Sequence, residues 1–132
     1  MDDLMVNSDP LHAKAWKILL EKHGHKFSEL PEEVRSSFIG MRVIDIVKEI
    51  IERLKLNGKL EDLYQERIDI FLKLAKEQLE AMPGLYESLN LLKKHGYLLA
   101  LASSGAKKYI NLVLEKFDIA EYFNAIVSGD DV

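Results

Sequence analysis

Ser103, Ser104 and Gly105 close an apolar run, Tyr97-Leu98-Leu99-Ala100-Leu101-Ala102, and a helical pattern from Ala106 to Phe117 begins at once. Two hydroxyls at such a place can donate to an anion. The free N–H groups at a helix start favour negative charge there as well. The same serines can equally serve only as helix caps. At the other end of the chain, Asp2 and Asp3 precede an apolar patch, Leu4-Met5-Val6, and the turn residues Asn7-Ser8. These carboxylates and hydroxyls are the residues from which a polar reaction centre could be assembled.

The elements that must position them follow from periodicity. An unbroken apolar run between Gly96 and Gly105 predicts a strand over 97–103, buried on both faces as in a parallel sheet. The carboxyl end of such a strand is where open α/β sheets place ligands. Upstream, Asp9 and Pro10 predict a helix start and Gly24 its stop. Pro31 restarts a helix to about Phe38. Val43, Ile46, Val47, Ile50, Ile51 and Leu54 form one apolar face of the next helix, which Asn57-Gly58 ends. A long helix is expected over 60–81, with Leu63, Ile70, Phe71, Leu74 and Leu79 inward. Residues 10–81 thus read as four antiparallel helices that bury their stripes against each other. Met82-Pro83-Gly84 reads as a hinge. Residues 82–132 then alternate helix, strand, helix and a short strand, Ala125-Ile126-Val127, which predicts parallel strands with right-handed crossovers.

Composition narrows the function. The chain has 132 residues, 48% hydrophobic and 30% charged, as in an ordinary globular domain. A net charge of −4, with basic residues scattered among acids, gives no electrostatic case for nucleic acid. Without cysteine there are no disulfides and no thiol catalysis. No apolar run approaches the ~20 residues that span a bilayer. No membrane partner and a cytoplasmic location are therefore expected.

The opening Met1-Asp2-Asp3-Leu4-Met5-Val6-Asn7-Ser8-Asp9-Pro10-Leu11-His12, the helical stretch, the Pro83-Gly84 helix and the strand ending in Leu101-Ala102-Ser103 together resemble haloacid dehalogenase-like (HAD) hydrolases of the phosphatase and β-phosphoglucomutase branch. That family opens with a strand ending in D-x-D-G-[VL]-[LV]-[VI]-D-[ST]-E-P-x-H. The resemblance implies an α/β, HAD-like fold, with a four-helix cap inserted into a partial Rossmann-like parallel sheet. Residues 1–9 would be the remnant of the first motif, 10–81 the cap and 82–132 a partial core.

It further implies Mg²⁺-dependent hydrolysis of phosphate monoesters through a phosphoaspartate. Asp2 falls on the second aspartate, the general acid and base, whose main-chain carbonyl helps hold Mg²⁺. Ser103 falls on the serine or threonine that binds the phosphoryl group. A phosphorylated small molecule, such as a sugar phosphate, is the implied partner. On this alignment the attacking aspartate would precede Met1, and the family lysine and later acidic pair would follow Val132. The chain then reads as truncated at both ends, and the expectation is an inactive piece. Asp3 stands where the family has glycine, and Asn7 where it has aspartate.

Four further residues have two readings each. His12 lies one turn from Trp16, and in the mutase branch a matching histidine couples cap closure to chemistry; edge packing explains the pair as well. Arg42 in Gly40-Met41-Arg42 falls in the cap loop facing substrate, or is a solvated arginine after a helix stop. Ile39 replaces a lysine common in the mutase branch, which favours a general phosphatase over a β-phosphoglucomutase. His23 and His25 read as helix-terminal cations. A non-catalytic alternative remains: an unpaired edge on the 97–103 strand would recruit a second copy, giving a homodimer.

Overall fold

The computed structural model describes residues 1–131. Its helices are α1 (Asp9–Lys22), α2 (Glu32–Ser37), α3 (Val43–Leu54), α4 (Leu60–Gln78), α5 (Leu85–Lys94) and α6 (Lys107–Lys116). Its strands are β1 (Ala100–Ala102) and β2 (Ala125–Val127). The chain divides into two compact units, Pro10–Leu74 and a second one formed by Met1–Asp9 with the residues from Ala75 onward.

The helical unit is built on the α3 stripe. Ile46, Val47 and Ile50 are buried with Trp16, Leu19 and Leu20 of α1, Leu30, Phe38, Leu56 and Leu63, while Val43, Ile51 and Leu54 pack half-buried against them. Full burial of each such side chain contributes about 1.5–3 kcal/mol. α3 ends at Lys55, whose left-handed backbone (φ 50°) caps it two residues before Asn57. The expected stop at Asn57-Gly58 is thereby moved upstream.

The second unit is α/β. β1 and β2 pair in parallel, with Ala100 opposite Ala125, Leu101 opposite Ile126 and Ala102 opposite Val127. α6 makes the crossover, and Tyr109, Ile110, Val113 and Leu114 bury its inner face. α4 stops at Gln78, short of the expected 81, because the following residues are claimed from outside the helix. The Asn7 N–H donates to the Glu80 carbonyl and the Met82 N–H to the Met5 carbonyl, while Ala81 bridges Val6.

The strand expected over 97–103 is also shorter. The Leu99 N–H donates to the Asn124 side chain, which stands in for a ladder partner. Burial on both faces does not hold either. Leu101 is buried, but Ala100 and Ala102 are exposed, as are Ala125 and Val127 on the same side of the sheet. Leu98 continues that face and is 83% exposed.

Candidate functional site

Asp2 is held by a tight turn. The Met5 N–H donates to the Met1 carbonyl and the Asp3 N–H to the Val6 carbonyl, and Asp2 bridges Val6 in parallel. Asp3 sits at φ 55°, a backbone region that glycine adopts most easily. Aspartate tolerates that backbone region better than most side chains. The Asp3 carboxylate turns back to accept the Asp9 N–H at 3.2 Å. The Asp3 charge, followed by burial, raises the Asp9 carboxyl above its usual range.

The loop after β1 holds Ser103 by both its main chain and its side chain. Its N–H donates to the Val127 carbonyl at 3.0 Å, and its Oγ accepts the Gly105 N–H at 3.2 Å. A Cβ on Gly105 would stand 3.3 Å from Ser103 Oγ and 3.3 Å from Tyr109 Cδ1. The serine hydroxyl and the tyrosine ring therefore flank one point of the loop. From the same ring the Tyr109 hydroxyl donates to Asp2 Oδ1 at 2.7 Å. Burial, and next the Asp2 carboxylate, push the Tyr109 phenol well above its usual range, so it remains a donor. Asp2 and Ser103 are thus gathered around one buried aromatic ring within one unit.

The turn over Gly129–Asp131 presses on this loop. The Gly129 N–H donates to the Gly105 carbonyl at 3.0 Å, and a Cβ at Gly129 would overlap the Ser104 carbonyl. Asp130 Oδ2 accepts the Lys107 N–H at 2.7 Å. Part of the anion-favouring start of α6 is therefore filled by the chain's own carboxylate. Asp131 accepts both the N–H and the hydroxyl of Ser128 at 2.8 and 2.6 Å, which hold its carboxyl below the usual range.

In the helical unit, His12 stacks on Phe71 with ring centroids 4.1 Å apart and shares a 2.7 Å hydrogen bond between its Nδ1 and Arg67 Nη2. Arg67 is 1% exposed, and its guanidinium lies 4.5 Å from the Trp16 ring centre and 5.0 Å from that of Phe71. Its Nε and Nη1 are buried without a hydrogen-bond partner among the described residues. Burial lowers its pKa to about 10. Arg42 is engaged by Asp45 through contacts of 2.7 and 3.2 Å. His23 pairs with Glu66 at 2.8 Å and His25 with Glu29 at 3.1 Å, so side-chain carboxylates answer both histidines.

Sequence reading passed over Tyr109, Arg67 and Asp130. The available signals were a hydroxyl-bearing ring on the apolar stripe of α6 and an arginine four residues from both Leu63 and Phe71 on the stripe of α4. Among the described residues, no three His, Cys, Asp or Glu side chains converge to hold a metal. The Mg²⁺ expected at the Asp2 carbonyl has no full ligand set among them.

A sequence profile described as haloacid dehalogenase-like hydrolase matches residues 1–132. A phosphorylated carbohydrates phosphatase of Thermotoga maritima is 26% identical over 100% of this chain and 60% of its own length. Hexitol phosphatase B of Escherichia coli is 29% identical over 98% of this chain and 58% of its own length. Among solved structures, a candidate β-phosphoglucomutase of Thermotoga maritima superposes with a TM-score of 0.79 at 25% identity, covering 100% of this chain and 60% of that one. The chain spans about 60% of the length of these relatives.

Proposed function

Because the chain belongs to the haloacid dehalogenase-like hydrolase family, we propose that its α/β unit supplies the phosphate-handling part of a phosphomonoester hydrolase. In this reading Ser103 donates its hydroxyl to a phosphoryl oxygen, with the Ser104 N–H beside it. Asp2 exchanges protons with the ester oxygen that leaves and the water that follows. The observation that carries the reading is the single ring of Tyr109, in contact with Asp2 and set against the Ser103 loop.

The substrate class proposed is a phosphorylated small molecule of the sugar phosphate kind. The names of the relatives, a phosphorylated carbohydrates phosphatase and a hexitol phosphatase, support it. Hydrolysis is preferred to mutase chemistry on the strength of Ile39. Arg42 is a substrate contact only if it leaves Asp45. His12, held by Arg67 through its Nδ1, is the other candidate substrate contact in the helical unit. Mg²⁺ would take part through the Asp2 carbonyl together with ligands beyond these residues.

The test is phosphate binding followed by ³¹P line broadening. Wild type is expected to broaden the signal, and Ser103→Ala to abolish the effect. Equal broadening by both chains would overturn the assignment.

A second reading, a module that associates with its own kind, is favoured by the bare apolar face of Leu98, Ala100, Ala102, Ala125 and Val127. Parallel sheets are normally covered on both faces. Light scattering at micromolar concentration is expected to show a dimer that Leu98→Glu dissociates. A monomeric wild type would sink this reading.

A further inference from the structure

We infer that Tyr109 is a positioning residue for Asp2: its hydroxyl fixes the carboxylate by Oδ1 and so leaves Oδ2 as the oxygen that trades protons with substrate. This rests on the reading of Asp2 as the acid and base of a phosphomonoester hydrolase.

The geometry is specific. The Tyr109 hydroxyl reaches Oδ1 at 2.7 Å across 107 positions of sequence, from a ring only 5% exposed. Its helix is locked by three further buried residues, Ile110, Val113 and Leu114. Asp2 stands on a short turn held by an isolated bridge to Val6. A turn of that size constrains the main chain but leaves the carboxylate free to rotate. A donor from a packed helix removes that freedom. A charge-assisted O–H···O⁻ bond is among the stronger hydrogen bonds. With Oδ1 engaged, a proton carried by Asp2 sits on Oδ2, from which it passes to the ester oxygen as the bond of that oxygen to phosphorus breaks; the ionised Oδ2 can then take a proton from water. Orientation of this sort adds rate without adding charge. The same ring touches the Gly105 position beside Ser103, so one side chain sets the proton donor relative to the phosphate loop.

The test does not need turnover. The chain is labelled with ¹³C at aspartate carboxyls, and spectra are recorded at one near-neutral pH. Tyr109→Phe keeps the ring and deletes only the hydroxyl. The Asp2 carboxyl resonance is expected to move by more than a linewidth, while Asp45 and Asp69 in the helical unit stay in place. As a reciprocal check, Asp2→Ala should remove the slowly exchanging hydroxyl proton of Tyr109. An Asp2 resonance indifferent to Tyr109→Phe, or a Tyr109 hydroxyl proton indifferent to Asp2→Ala, overturns the inference. Phosphate binding at Ser103 is scored separately. Its absence in wild type and variant alike would remove the reaction, and the inference with it, whereas binding without the Asp2 shift would refute the inference alone.

Discussion

The Asp130 carboxylate accepts the main-chain N–H of Lys107 at 2.7 Å, so the first turn of α6 is capped by an acid from 23 positions downstream. A like charge beside the Ser103 loop opposes an incoming anion, while the cap itself stabilises the helix. Asp130→Ala is expected to cost about 1 kcal/mol in urea unfolding. The same change should tighten phosphate binding by roughly 2–5-fold, the size of an exposed charge at a helix start. Weaker phosphate binding in this variant would mean that the carboxylate helps to shape the loop.

Gly129 is fixed by contact. Any Cβ there meets the Ser104 carbonyl, which is main chain and cannot step aside cheaply. Gly129→Ala is expected to destabilise by about 1–3 kcal/mol and to weaken phosphate binding, read from urea unfolding and ³¹P titration. Wild-type values for both would show that the turn over 129–131 does not press on the loop.

Arg67 is a buried cation that faces two aromatic rings, and among the described residues it forms no ion pair with a carboxylate. Replacing a buried charge by an apolar side chain of similar length is often neutral or stabilising. Arg67→Met is therefore expected to unfold within about 1 kcal/mol of wild type or above it. Arg67→Ala also opens a cavity and should lose about 2–4 kcal/mol. An Arg67→Met loss as large as that of Arg67→Ala would show that the guanidinium itself stabilises the unit.

Glu66 accepts from Lys22 and from His23, each at 2.8 Å, and these bonds hold its carboxyl below the usual 4.5. A lowered folded-state pKa means stability that is present above the unfolded value and lost as pH falls through the folded one. Glu66→Gln is expected to cost about 1 kcal/mol at pH 7, with the difference from wild type shrinking below pH 4.5. A difference that stays constant across this range in thermal melts would contradict the assignment.

What could be read from sequence is what local pattern controls. The α3 stripe and the short β2 strand follow from residues within a turn or two of each other. The end of α4 and the start of β1 do not. They depend on Asn7 meeting Glu80 and on the Asn124 side chain meeting Leu99, pairings that no periodicity encodes. The site divides in the same way. Ser103 and Asp2 could be singled out by type, place and resemblance. Tyr109 was hidden because a tyrosine on a buried stripe looks like packing until its hydroxyl is followed to Asp2. Arg67 was hidden because an arginine on an apolar stripe is expected to reach solvent.

The central claim is that the loop after β1, with Asp2 beside it, receives phosphate. Inorganic phosphate titrated into the ¹⁵N-labelled chain tests it most directly. Main-chain amide signals of Ser103, Ser104 and Gly105 are expected to shift together and saturate, with Asp2 following and Lys22 and His23 unmoved. Shifts confined to the helical unit, or none at the Ser103 loop at saturating phosphate, would contradict it.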